Sequence, residues 1–134
     1  MANGKMPGTA IRSFEDLEVW QMGMALAEEC YRLTAKFSRD EIYTLTAQMR
    51  RAAISVPSNI AEGHGRESTP AFIQHLRIAQ GSLKELQTQH LLSKRLAMAA
   101  EHEFEPLLSK CERIGKMLRS LIRTLQMRTD RQED

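Results

Sequence analysis

Apolar residues recur along this chain at the spacing of a helix in four successive runs, separated by three short polar breaks. In the first run Phe14, Leu17, Met24, Tyr31, Leu33 and Phe37 follow a helical period, and Ser13 stands where a capping hydroxyl is expected. "FSRDE" interrupts the pattern, with Ser38 and Glu41 spaced as a capping box. The second run, Ile42, Leu45, Met49, Ala53, Val56 and Ile60, steps by 3, 4, 4, 3 and 4. "STPAF" opens the third, where Pro70 suits the first helical turn because its missing N–H has no partner there. Phe72, Leu76, Ala79, Leu83, Leu86 and His90 then step by 4, 3, 4, 3 and 4, and the pattern continues to about Met98. After "AAEHE", the fourth run buries Phe104, Leu107, Cys111, Ile114, Leu118, Leu121 and Leu125, with Pro106 either in its first turn or delaying its start. No alternating strand pattern competes. Four helices with short connections predict an all-α, up-down-up-down four-helix bundle over residues 13–128. A disordered segment is expected at 1–12 and a polar tail at 129–134.

The second run passes through Pro57 without losing phase, which a loop has no reason to do. The expectation is a helix kinked at Pro57, since proline removes one backbone hydrogen bond and crowds the carbonyl four residues back. Ser55 and Ser58 are placed to bond freed carbonyls. This helix carries more apolar surface than one seam requires. Tyr43, Ala47, Ile54 and Ala61 form a second stripe about a third of a turn from the first. It either contacts neighbours within the bundle or packs on another copy of the chain. Between the stripes runs a polar track, Gln48, Arg51, Ser55, Asn59, Glu62 and Arg66. Three readings stand for it: a clamp holding the fold, a subunit contact, or a ligand site.

Composition changes this picture little. In 134 residues, 42% are hydrophobic, 27% charged and only 5% aromatic, as befits a helical globular domain. The formal net charge is +2, but residues 69–134 carry 11 basic and 8 acidic side chains, so the later half is mildly basic. Two cysteines, Cys30 and Cys111, are too few for a disulfide framework or a four-ligand zinc site. Neither a signal peptide nor a membrane-spanning run is evident, and a cytoplasmic protein is expected.

Catalytic patterns are scarce. None of the four histidines has a glutamate three residues before it, as di-iron bundles require. "HEFEP" lacks the second histidine of a zinc motif, and "EGHGR" lacks the lysine and spacing of a phosphate loop. His90 falls on a core position, where a bond to a neighbouring helix is expected. No catalytic residue, cofactor or metal is therefore assigned, and the chain is expected not to be an enzyme. On the fourth helix Arg113, Lys116, Arg119 and Arg123 lie opposite the leucines, over roughly 120° of arc. They form either a solvated amphipathic face or a row of cations for a phosphate backbone.

"FEDLEVWQ" at 14–21, "LTAQMRRAAISVPSNIAEGHGR" at 45–66 and "IAQGSLKELQTQ" at 78–89 resemble the 23S ribosomal RNA intervening-sequence protein family, over about residues 13–127. That resemblance implies an up-down bundle assembled into a ring-shaped homopentamer, with no catalytic residues. Distant relatives serve reverse transcriptases through a basic ring that holds nucleic acid and enzyme. The expected function is a non-enzymatic module associating with structured RNA, ribosomal RNA or a ribonucleoprotein. A protein-interaction scaffold that binds no nucleic acid is the alternative. Arg50 and Arg51 join the candidate RNA contacts or serve the subunit interface.

Overall fold

Each apolar run can leave water only by packing on another, and the four runs do so pairwise around one core. The computed structural model describes residues 11–133; most of the segment expected to be disordered, up to residue 10, lies outside them. Four helices are present: α1 Glu18–Thr34, α2 Leu45–His64, α3 Thr69–Arg95 and α4 Glu105–Glu133. Short 3₁₀ turns at Phe14–Asp16, Arg39–Glu41 and Glu101–Glu103 precede α1, α2 and α4. α1 packs on α2 and α4, and α3 packs on the same two, so consecutive helices are neighbours and the circuit closes. This is the expected all-α four-helix bundle, with no strand among the described residues. The predicted tail is helical as far as Glu133.

The core forms from Leu26, Cys30, Met49, Ala53, Val56, Ile60, Leu76, Leu83, Leu86, Leu107, Ile114 and Leu118, all buried. A fully buried Leu or Ile contributes about 1.5–3 kcal/mol. Most of the stripes predicted for α2, α3 and α4 are thus the buried ones, with Ile122 added and Leu121 only partly covered. His90 is buried, and its Nε2 donates to the Phe104 carbonyl at 2.7 Å while the ring stacks edge-on against Phe104. That is the interhelix bond expected of it, and it ties late α3 to the start of α4.

Two helix-sized neighbours approach α2 unusually closely. A Cβ added at Gly63 would lie 2.6 Å from His75 Cβ and 3.0 Å from Phe72 Cδ1 on α3. One added at Gly23 of α1 would meet Pro57 Cβ at 3.2 Å. Pro57 is buried in that contact, and α2 continues as α-helix across it without interruption. Arg50 completes the α1–α2 seam. Its guanidinium lies 4.4 Å above the Tyr31 ring, and its Nε donates to Thr34 Oγ1 at 2.9 Å.

Several local expectations are corrected. Ser13 caps the 3₁₀ turn at Phe14, accepting from Glu15 N–H, whereas α1 starts after Leu17 with no side-chain cap. On α1 the buried face is Val19, Gly23, Leu26, Cys30 and Leu33; Met24 and Tyr31 lie on the outside. The capping box does not form, because Ser38 caps the second 3₁₀ turn and the Glu41 carboxylate accepts the Thr44 hydroxyl. α2 consequently begins at Leu45, and Ile42, read as core, is exposed. A three-residue 3₁₀ turn has the same residue preferences as the first turn of an α-helix, so periodicity cannot separate them.

α3 ends at Arg95, three residues short of Met98. Met98 N–H donates to the Ser93 carbonyl and Ala97 N–H to that of Lys94, the paired bonds of a Schellman turn. This turn needs a left-handed residue, and Ala97 fills it at φ 53°. A Cβ disfavours that conformation by roughly 1–2 kcal/mol. Replacing Ala97 with Gly is expected to raise the urea midpoint, corresponding to a gain of about 1 kcal/mol at fixed protein concentration; an unchanged or lower midpoint would mean that Ala97 carries no strain.

Candidate functional site

Cations on a helix surface are commonly paired with acids, three or four residues away or on a neighbouring element, and much of this chain follows that habit. Arg32 pairs with Glu28 and Glu29, Arg66 with Glu62, Lys36 with Glu103 and Lys110 with Glu29. Of the four cations predicted on α4, Arg113 turns toward α1, with Glu18 at 3.9 Å. Lys116, Arg119 and Arg123 are exposed, and Lys116 also lines a cavity with Glu18 and Val19 of α1.

Here the structure adds two residues that the sequence reading missed. Arg77 and Lys84 of α3 line the same groove as Arg119 of α4, in a cavity of ≈ 390 Å³ that also includes Gln80, Gly81 and Gly115. It continues into a second cavity of ≈ 260 Å³ lined by Lys84, Gln87, Glu112, Lys116 and Arg119. Arg77 and Lys84 are seven residues apart, two turns on one side of α3. That spacing was legible, but only the packing shows that this side borders the cations of α4. Among the described residues, Arg77, Lys84, Lys116, Arg119 and Arg123 make no ion pair.

The polar track on α2 divides into three parts. Its middle is an interhelix clamp: His75 Nδ1 lies 3.2 Å from Asn59 Oδ1, Asn59 Nδ2 donates to Ser55 Oγ at 3.0 Å, and Ser55 Oγ lies 2.7 Å from Ser82 Oγ. Ser55 therefore bonds across to α3 instead of to a freed carbonyl, and Ser58 is exposed. Gln48 and Arg51 are exposed above this clamp, while Glu62 and Arg66 pair with each other at 3.0 Å. Arg51, Asn59 and Glu62 are thus not joined in one network. Arg50 is held against Tyr31 and Thr34 and is not a free cation.

The second apolar stripe lies on the outer surface. Ile54 is 43% exposed and Tyr43 93%, while Ala47 and Ala61 are half-buried. Tyr43 belongs to the turn before α2. Met24 and Tyr31 of α1 extend this surface, being 40% and 41% exposed. The Gly23–Pro57 and Tyr31–Arg50 contacts place them on the α1 side of the same seam as Ile54.

No group of three His, Cys, Asp or Glu among the described residues could hold a metal ion. No described helix is long and apolar enough to cross a membrane. Cys30 and Cys111 are free and fully buried, and burial foremost pushes both thiols from 9.0 up to about 12. Such thiols stay protonated near neutrality and are poor nucleophiles. The sign of the linkage follows. An unfolded chain loses these protons from about pH 9 and the folded one only near 12, so stability is full below pH 9 and falls as pH rises across that window. Ellman's reagent is expected to leave both thiols unmodified in the native protein at pH 8 and to react with two per chain in denaturant; prompt native reaction would contradict their burial.

No curated protein matches the chain. Among protein families, the one described as 23S rRNA-intervening sequence protein matches residues 15–120. The match runs from the first 3₁₀ turn through three helices and into the second half of α4. The chain belongs to the 23S rRNA-intervening sequence protein family.

Proposed function

We propose that this chain is a non-enzymatic helical-bundle protein that assembles into a ring-shaped homopentamer and associates with structured RNA, ribosomal RNA or a ribonucleoprotein, through the cations of α3 and α4. The observation that carries this reading is the set of exposed cations on α3 and α4, Arg77, Lys84, Lys116, Arg119 and Arg123, which make no ion pair among the described residues. Along α1 and α2 the surface exposes Met24, Tyr31 and Ile54, while Ile78, Leu91, Leu92 and Met127 are exposed on α3 and α4. Apolar strips of this kind are covered by protein, and each unpaired cation can release a counterion from a nucleic-acid phosphate. The family's description names a ribosomal RNA, in keeping with those cations. Two free thiols fit a reducing cytoplasm.

A second reading is favoured by the modest net charge of +2. In it, the assembly is a scaffold for a protein partner and binds no nucleic acid. Ultraviolet cross-linking in the native cell, followed by sequencing of the recovered RNA, separates the two. Enrichment of one RNA over a mock-tagged control is expected; recovery at the control level would transfer the assignment to the scaffold.

Assembly has its own test. Ile54→Asp is expected to shift the sedimenting mass toward monomer while the helical circular-dichroism signal is kept, because Ile54 lies outside the core. An unchanged mass would remove the α1–α2 flank from the interface.

A further inference from the structure

The groove between α3 and α4 has a construction that a solvated charged face does not need. Two of its walls' cations come from each helix: Arg77 and Lys84 from α3, Lys116 and Arg119 from α4. Four like charges lining adjoining cavities repel each other, and no acid within ion-pair distance relieves them among the described residues. Glu112, at one end, is the one acidic side chain among those lining the two cavities.

Two glycines line the groove, one from each helix. Gly81 sits inside α3, between Arg77 and Lys84, at a cost of about 1 kcal/mol relative to Ala. Packing does not demand it, since a Cβ there would meet nothing within 4 Å. Opposite, Gly115 lies in the same groove, and a Cβ there would stand 3.7 Å from Arg119 Nη1, over which the guanidinium reaches. Where Gly63 is glycine because α2 and α3 touch, Gly81 leaves the exposed surface between Arg77 and Lys84 bare.

We infer that this groove is a channel for a single nucleic-acid strand, gripped by its phosphodiester backbone without reading its bases. The inference rests on the RNA-associating function proposed above and gives it a location. Cations from both helices line the same two adjoining cavities, which suits a row of phosphates. The two adjoining cavities, ≈ 390 and ≈ 260 Å³, have room for a short length of one strand, whereas a duplex would rest across their rims. No aromatic side chain lines either cavity, so base stacking is not on offer. The amides of Gln80 and Gln87 add donors that phosphate and sugar oxygens accept whatever the base.

The test is fluorescence anisotropy on the full-length assembled protein with a labelled oligouridylate of about 8 nucleotides, short enough for one groove. Affinity is measured across a salt series. Single strands lose affinity with a log–log slope of about −0.7 per neutralised phosphate, so four groove cations predict a slope near −2.8. Lys84→Gln with Arg119→Gln is expected to bring it to about −1.4. Arg113→Gln, facing Glu18, is expected to change it little. Gly81→Leu adds bulk to the groove lining between Arg77 and Lys84 without altering charge and is expected to weaken binding about tenfold, circular dichroism verifying the helix. An oligodeoxythymidylate of equal length is expected to bind comparably, because backbone phosphates are shared.

Oligouridylate binding that ignores the Lys84/Arg119 pair but falls with Arg113→Gln would overturn the channel and leave RNA association standing elsewhere. Preference for an RNA duplex over the single strand would overturn it likewise. No nucleic-acid binding even at low salt, or displacement by polyglutamate as effective as by unlabelled oligouridylate, would overturn the channel together with the RNA function beneath it.

Discussion

The distance at which α2 can stand from its neighbours governs the rest of this bundle. Gly63 lets α2 come against His75 and Phe72 of α3, and Gly23 of α1 makes room for the ring of Pro57. Close approach is what permits short polar side chains to bridge helices. Ser55 and Ser82 could not meet at 2.7 Å across a seam held apart by leucines, nor could Asn59 span between Ser55 and His75. Once α2 is seated, its inward stripe closes the core. What remains outside on its α1 side is the apolar flank around Ile54.

Much of this was legible in the sequence because periodicity reports burial directly. Met49, Val56, Ile60, Leu76, Leu83, Leu107 and Ile114 all repeat at helical spacing, and all are in the core. His90 was legible too, as an imidazole on a core position of a helix. The failures share a different physics. Met24 and Tyr31 are apolar but outside, since periodicity shows that a stripe exists and not which of two stripes faces inward. Ala97 marks a left-handed helix end without the glycine that ordinarily signals one, so α3 was read too long.

The groove was harder still. A sequence pattern groups residues by the face of one helix, whereas a groove is assembled from the edges of two. Arg77 and Lys84 belong with Arg119 only because α3 and α4 lie antiparallel, at a register set by Leu83 beside Gly115. Read on its own helix, Arg113 looked equivalent to Lys116, three residues on. In the fold Arg113 reaches only toward Glu18 of α1, whereas Lys116 borders both α1 and the α3 groove.

The bond from His90 to the Phe104 carbonyl sits where the chain turns from α3 into α4. The same ring packs edge-on against Phe104, so one side chain sets both the spacing and the rotation with which α4 leaves the turn. The register of α3 against α4, and with it the pairing of Arg77 and Lys84 with Arg119, starts from that joint.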